Sequence, residues 1–554
     1  MNIEQQRVLE FHDIFPKERN FNIKETLKKY DKLSIIKVAS ILGCIYDNAY
    51  IPNEQQTFFS DVSKKHTLRL NNLVGKFLKK HKLKKVYYHT IKTSLELIRH
   101  TFSIPHNEYL NTGKIEDFEY DLFRVILMIN EDIMSFKSKD DKKELDELIY
   151  FNHFISNDTN NANLGNIFKT QLYYAKTLFK FLEKYHLDLL KKLIDKWQIE
   201  KYDDYIQTAI CLFSLWLLIR KKNYLLDLNQ IPIEITSVIS QKVIDLLSID
   251  INEYIPFDDI KYQENNIDYR VFRSKPLIKV SDKQYYIYNG ELLIEKLYNS
   301  LFFDLQDIYK ETGNFNNFYT KEFVENYLFY NTIKKCIKNN AIYFPTNKSI
   351  KEENNQPDFY IRHNSEIFIF ECKAIKINGA IKDEKNIDEF IEMLKNKLYL
   401  KQKDIDANVT KRKNKNVGIS QLVKTIEMIE DDNFPWDKNI PDAVQYFPIL
   451  ILEDSRFILP GLMSILNRWA KESIQKWVPE AYINPIIVTS IDILYLFDNH
   501  FKQKGFTKIL SEFCSFYKKN SHIKAFLDFN EYMYEKYTIS SYKFNDYKKI
   551  LSPK

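Results

Sequence analysis

The chain has 554 residues, 44% hydrophobic and 15% aromatic, enough apolar material for two to four folded domains and not the composition of a disordered protein. Only 10 Gly and 15 Pro punctuate it, which favours long helices over a turn-rich all-β fold. The net charge of +6 permits a polyanionic partner without requiring one, and the 5 cysteines include no Cys-x-x-Cys, so neither a zinc site nor a disulfide framework is indicated. This cysteine usage fits a reducing cytoplasm. Met1-Asn2-Ile3-Glu4-Gln5-Gln6 lacks a basic-then-apolar signal pattern. The most apolar run, Ala209 to Ile219, is shorter than the roughly 20 residues that span a bilayer, so a soluble, cytoplasmic chain with no membrane partner is expected.

From Lys24 to Ile249 apolar residues recur at three- and four-residue spacing, which predicts a mainly helical region. Phe168 to Leu190 and Tyr205 to Leu218 are its clearest helices. Between Lys64 and Arg99 lie eleven basic residues against one acid, Glu96, a local excess larger than the charge of the whole chain. Aromatics and histidines are interleaved with them. Such a stripe suits phosphate neutralisation, with Lys79, Lys80, Lys84 and Lys85 as its densest part. A solvated helix face, or a contact for an acidic partner, is the competing reading. The acidic run from Lys137 to Glu147 would be its counterweight within the chain. Gly-x-x-x-x-Gly-Lys is absent, so ATP-driven work would have to come from a partner.

The pattern loosens from Ser248 to Asp268, and a connector with a domain boundary near residue 265 is expected there. Tyr269 to Val280 and Gln284 to Tyr288 read as a hairpin around Ser281-Asp282-Lys283, followed by a helix from Gly290 to Leu305. Thr320 to Lys338 reads as a helix carrying Glu322 and Glu325 three positions apart. Ala341 to Pro345 follows as a strand.

The stretch from Pro357 to Ala374 is the most informative. Pro357-Asp358-Phe359-Tyr360-Ile361 and Ile367-Phe368-Ile369-Phe370-Glu371-Cys372-Lys373 read as two strands around a polar turn. Glu371 and Lys373 project from one face of the second strand and Cys372 from the other. Asp358, starting the first strand, can lie beside Glu371. Two carboxylates and an ammonium at the end of buried β-structure suit a hard divalent cation, which takes oxygen ligands, and a substrate phosphate. A solvated charge pair at a strand end is the plain alternative. Pro-Asp followed thirteen positions later by Glu-x-Lys resembles the PD-(D/E)xK nuclease superfamily, with its restriction-endonuclease-like fold. The resemblance implies Mg²⁺, or Mn²⁺ in its place, held by Asp358, Glu371 and the backbone carbonyl of Cys372, with Lys373 as the catalytic lysine. It also implies that Glu325 approaches a second metal position.

After the hairpin come a helix from Ile387 to Leu400 and a Lys-rich insertion containing Lys411-Arg412-Lys413, whose charge points to phosphate contact. Gly418 opens another helix. By the resemblance, Gln421 on it would be a catalytic-site residue and Lys424 a nucleic-acid contact; Thr425 stands where the exonuclease branch has Tyr. Strands from Tyr446 to Leu452 and Asn484 to Ser490 flank a helix from Pro460 to Lys476, a βαβ arrangement that completes a mixed sheet. Glu453 and Asp454 end the first of these strands and are rival metal ligands, but no Lys accompanies them. Aromatic-rich helix is expected from Lys504 to Lys554.

The expected architecture is therefore a multidomain mix of α+β and α/β. A mainly helical region, 1–265, precedes a domain, 266–554, built on a restriction-endonuclease-like mixed β-sheet flanked by helices, with its core over 318–490. The implied activity is Mg²⁺-dependent phosphodiester hydrolysis, with DNA as substrate and restriction or anti-phage defence as setting. Two alternatives stand beside it: a non-catalytic nucleic-acid-binding or scaffold protein of the same fold, and an RNase activated by a partner. A homo-oligomer, or an ATPase or sensor subunit, would supply the partner.

Overall fold

The computed structural model describes residues 8–43, 49–50, 64–134, 164–221, 233–234, 240–257, 269–309, 314–337, 342–345, 356–375, 387–402, 414–458, 461–520 and 527–539. The chain is a mixed α/β protein of two compact units. One comprises Met1–Phe136, Asp158–Gln171 and Asp188–Ile308; the other comprises Lys137–Asn157, Leu172–Leu187 and Tyr309–Lys554. Of the connector expected over Ser248 to Asp268, the start is instead a strand, Ser248–Asp250, paired with Leu277–Lys279, while residues 258–268 and the acidic run 137–147 lie outside the described residues.

The first unit is mainly helical. Lys32–Leu42, Ile91–Phe102 and Ile115–Met134 pack on one another through Ile35, Ile36, Leu95, Ile98, Val125 and Ile126, none of them more than 1% exposed. Their starts are set locally: Asp31 accepts from the Ser34 N–H at 2.8 Å, and Thr90 from the Thr93 N–H at 3.1 Å. Two short strands, β1 (Ala49–Tyr50) and β2 (Val86–Tyr87), pair antiparallel. A four-stranded sheet combines β3 (Ile233–Glu234), β4 (Ser248–Asp250), β5 (Leu277–Ser281) and β6 (Gln284–Ile287) in the order β3-β6-β5-β4.

Two expectations in this unit need correcting. Residues 270–274 form a helical turn, Arg270–Ser274, not the start of a strand; Tyr269 enters it with φ of 55°, a left-handed conformation that strand pairing does not accept. The helix expected over Gly290 to Leu305 is two helices, Gly290–Glu295 and Leu301–Tyr309. Tyr205 donates its hydroxyl to the Lys296 carbonyl at 2.8 Å, and the Ser300 N–H turns back to the Glu295 carbonyl at 3.0 Å, so the intervening turn leaves the α-helical pattern. Gly290 permits a close approach: a Cβ there would fall 2.2 Å from the Trp216 indole.

The second unit is organised by a five-stranded sheet. Its strands are β7 (Ile342–Pro345), β8 (Phe359–His363), β9 (Glu366–Lys373), β12 (Gln445–Leu452) and β13 (Ile487–Ser490). A small antiparallel hairpin, β10 (Leu400–Gln402) and β11 (Asn414–Asn416), stands apart from it. The order is β13-β12-β9-β8-β7, with β7, β8 and β9 an antiparallel meander and β9, β12 and β13 parallel. The helix Ile419–Glu430 leads from β11 into β12, and the helix Leu462–Gln475 lies between β12 and β13.

Residues Ile367 to Cys372 of β9 are all buried, which explains why this strand reads as an unbroken apolar run rather than an alternation. Phe368 stacks on Phe447 of β12 at 4.4 Å and Phe370 on Phe506 at 5.7 Å, while Tyr360 meets Phe434 at 5.0 Å on the opposite face. The turn between β8 and β9 is two residues long, with Asn364 at φ of 55°.

A long helix precedes this sheet, but not as a regular α-helix. Asn317–Phe329 is wound in the i→i+5 register for 13 residues, then continues as the α-helix Tyr330–Cys336. That register stacks Phe318 and Phe323, five positions apart, into one stripe. Both meet Phe181, at 6.0 and 5.4 Å, and Tyr327 joins them at 5.1 Å.

Candidate active site

The β8–β9 hairpin brings Asp358, Glu371 and Lys373 together at the end of the sheet where β9 finishes. Asp358 is locked from two directions. Its backbone N–H donates to the Phe370 carbonyl at 3.0 Å, and its Oδ2 accepts the Cys372 backbone N–H at 2.7 Å. The carboxylate is thus held over the last residues of β9, beside Glu371. Cys372 points the other way with its thiol fully buried, and burial pushes that thiol well up. It is not poised as a nucleophile.

Glu371 is 1% exposed and Lys373 20%, and Lys373 Nζ lies 2.5 Å from Glu371 Oε1. The second oxygen, Oε2, is buried and makes no hydrogen bond. Burial, followed by the nearby Asp358 charge, pushes the Glu371 carboxyl well above the usual carboxylate range, although Lys373 pulls it down. For Lys373 burial works against the ammonium, but the charges of Glu371, Asp358 and Glu325 outweigh it and hold the amine above its ordinary value. Lys373 is therefore a fixed cation at neutral pH. A buried carboxylate with an unbonded oxygen beside a second carboxylate is costly unless positive charge is supplied.

Glu325 joins this group from the i→i+5 helix. Half-buried, it acts electrostatically on Glu371, Cys372 and Lys373. Its competitor Glu322 is occupied elsewhere, bonded to Asn317 at 3.2 Å and facing His186 at 3.7 Å. Gln421 serves its own helix, since its Oε1 accepts the Gly418 N–H at 2.9 Å and closes the first turn. Lys424 is paired with Glu427 at 2.6 Å. Thr425 is buried and bonds back to the Gln421 carbonyl at 3.0 Å.

Next to β9, the first residue past β12 continues the ladder: the Glu453 N–H donates to the Lys373 carbonyl at 3.0 Å. Its side chain, 1% exposed, accepts the Tyr319 hydroxyl at 2.6 Å. Asp454 is held by Arg456 at 2.6 Å, and Asp492, just past β13, takes the Tyr174 hydroxyl and bonds Ser455. Tyr319, Tyr174 and Asp492 were not legible as site neighbours. Asp492 had one usable sign, a carboxylate two residues beyond the end of an apolar strand.

The donors at the hairpin fit a hard cation. They are oxygen atoms on a rigid strand end, one of them buried and unbonded, and Mg²⁺ is commonly bound by one or two carboxylates with water completing its shell. Among the described residues, no three or more His, Cys, Asp or Glu side chains form a group that would hold a metal.

Of the expected nucleic-acid contacts, Lys79, Lys80 and Lys84 are exposed in the first unit, and Lys85 lies half-buried 5.9 Å over the Tyr87 ring. Lys411, Arg412 and Lys413 lie outside the described residues, between β10 and β11. No helix among the described residues is long and apolar enough to cross a membrane. Comparison with protein-family models, with curated proteins and with solved structures gives no match.

Proposed function

We propose that this chain is a metal-dependent nuclease of the PD-(D/E)xK type that hydrolyses phosphodiester bonds of DNA. The observation that carries the reading is the convergence of Asp358, Glu371 and Lys373 from one hairpin, with a Glu371 oxygen buried and unbonded. The restriction-endonuclease-like reading of the sheet is supported by its course: an antiparallel meander β7-β8-β9, a helical crossover, then β12 parallel to β9.

In this reading Asp358, Glu371 and the Cys372 carbonyl hold Mg²⁺ or Mn²⁺. When bound, the cation would polarise a phosphoryl oxygen and acidify the attacking water. The chain's own side chains do the rest. Lys373 keeps its proton because three carboxylates surround it, so it acts as a hydrogen-bond donor and a fixed charge, not as a base. Two residues along the strand from Glu371 and on the same face, it orients water and offsets charge gathering on the phosphate. Asp358 cannot swing away, because the Cys372 N–H pins it. Glu325 adds negative charge to the same group and would help to hold a second cation. Restriction or anti-phage defence is the setting we favour for such a nuclease.

The test is direct. Purified protein with Mg²⁺ or Mn²⁺ is expected to cut plasmid DNA, while Asp358→Ala, Glu371→Ala and Lys373→Ala are not. Equal cutting by all four proteins would sink the proposal. DNA bound without cleavage under either metal would favour a non-catalytic nucleic-acid-binding protein, and cleavage of RNA alone a ribonuclease.

A further inference from the structure

The first unit carries a surface that the candidate active site does not use. Lys64–His81 is an 18-residue helix without one acidic side chain. It is anchored by Leu70, Val74, Phe77 and Leu78, all buried. Its solvent side bears Arg69, Asn72, Lys76, Lys79 and Lys80, all exposed and spaced by three and four residues, so they form one continuous face. The positive charge continues past the helix end through Lys82 and Lys84.

The one acid nearby in sequence is turned to another use. Glu96 is bound by Arg99 at 3.2 Å and by the Tyr269 hydroxyl at 2.6 Å. It belongs to the body of the unit and not to this face.

Gly75 adds an independent observation. It sits in the middle of the helix, where Gly costs about 1 kcal/mol relative to Ala. Among the described residues nothing lies within 4 Å of where its Cβ would be, so packing against them does not require it. On the helix it neighbours Asn72 and Lys79, at the edge of the basic face. A missing side chain beside a row of cations lets another backbone come close.

We infer that this helix face is a docking surface for the phosphate backbone of duplex DNA. Charge complementarity selects a polyanion, since the face offers cations and one amide, and the acid beside the helix start, Asp117, is taken up by His66 at 3.0 Å. Few groups on it could read base edges, so contact would be independent of sequence. Duplex DNA is favoured over duplex RNA because a helix enters the roughly 12 Å wide major groove of B-form DNA, whereas the A-form major groove is too narrow and deep. The inference deepens the nuclease reading by naming how substrate is captured, yet it stands on a different surface.

The experiment is fluorescence anisotropy of the full chain with a labelled DNA duplex, without divalent metal, across a series of salt concentrations. Cleavage then plays no part, so loss of binding and loss of cutting are separate failures. Replacing Lys76, Lys79 and Lys80 together by Ala is expected to weaken binding on the order of tenfold or more and to reduce the salt slope by about 2.7. Unchanged affinity and slope would overturn the inference. Gly75→Ala is expected to raise Tm while weakening DNA binding; a higher Tm with unaltered binding would remove the close approach at this position. An RNA duplex of the same sequence should bind more weakly, and tighter RNA binding would overturn the choice of DNA.

Discussion

Two groups of acids stand at the same end of one sheet, and they are treated differently. Glu453, Asp454 and Asp492, past β12 and β13, have partners that suit a resting protein: a tyrosine hydroxyl, an arginine, and a tyrosine with a serine. Glu371, at the end of β9, has a single ammonium and an oxygen with no hydrogen bond. Asp454 and Asp492 are satisfied by the fold, whereas Glu371 and Glu453 each keep a buried oxygen without a hydrogen bond; what sets Glu371 apart is Asp358 and Lys373 converging on it from one hairpin. Neither burial nor an unbonded oxygen alone marks a functional carboxylate; a second carboxylate and a lysine converging on it do.

The largest expected effect tests the hairpin group. Mg²⁺ or Mn²⁺ should raise the Tm of the native chain by a few degrees, because a ligand of the folded state stabilises by mass action. In Glu371→Gln the shift should vanish and plasmid cutting should fall on the order of a thousandfold. A metal-dependent Tm shift that survives in Glu371→Gln would place the cation elsewhere and break the comparison.

A smaller effect is expected in the group past β12. Tyr319→Phe removes the hydroxyl that serves Glu453 and should cost about 1–3 kcal/mol in urea unfolding, with plasmid cutting retained. If cutting collapses while stability holds, Glu453 belongs with the hairpin acids after all.

The smallest effect is in pH dependence. Burial raises the Asp492 carboxyl from 3.8 to about 6, despite its hydrogen bonds from Ser455 and Tyr174. The folded state therefore holds this proton more tightly than the unfolded chain. Its contribution is fully present below pH 3.8 and is lost as the pH rises through about 6. Stability of the native chain should decline across that window, and Asp492→Asn should flatten the profile. An unaltered profile would show that Asp492 ionises freely.

The hairpin is legible in the sequence because its signals are local: β-formers around a two-residue turn, and acids placed by strand alternation. The helices of the first unit and the strands β12 and β13 are legible for the same reason. The neighbours of the site are not. Glu453 reaches Lys373 only because β12 pairs in parallel with β9, a contact between segments 80 positions apart that no local pattern encodes. The i→i+5 register of Asn317–Phe329 depends on stacking against Phe181, which is likewise distant in sequence. The break after Glu295 needs Tyr205 to draw the Lys296 carbonyl aside. Resemblance makes Gln421 a site residue, whereas its hydrogen bond serves its own helix start.

The two-residue turn at Asn364-Ser365 has a consequence for what evolution or an engineer can edit. It sets which residues of β8 and β9 face each other, and adding one residue there would reverse the outlook of the shifted strand. Phe370 would take the place of Glu371, exchanging an oxygen donor for an apolar ring and removing the carboxylate a hard cation needs. This loop holds the identity of the chemistry in its count.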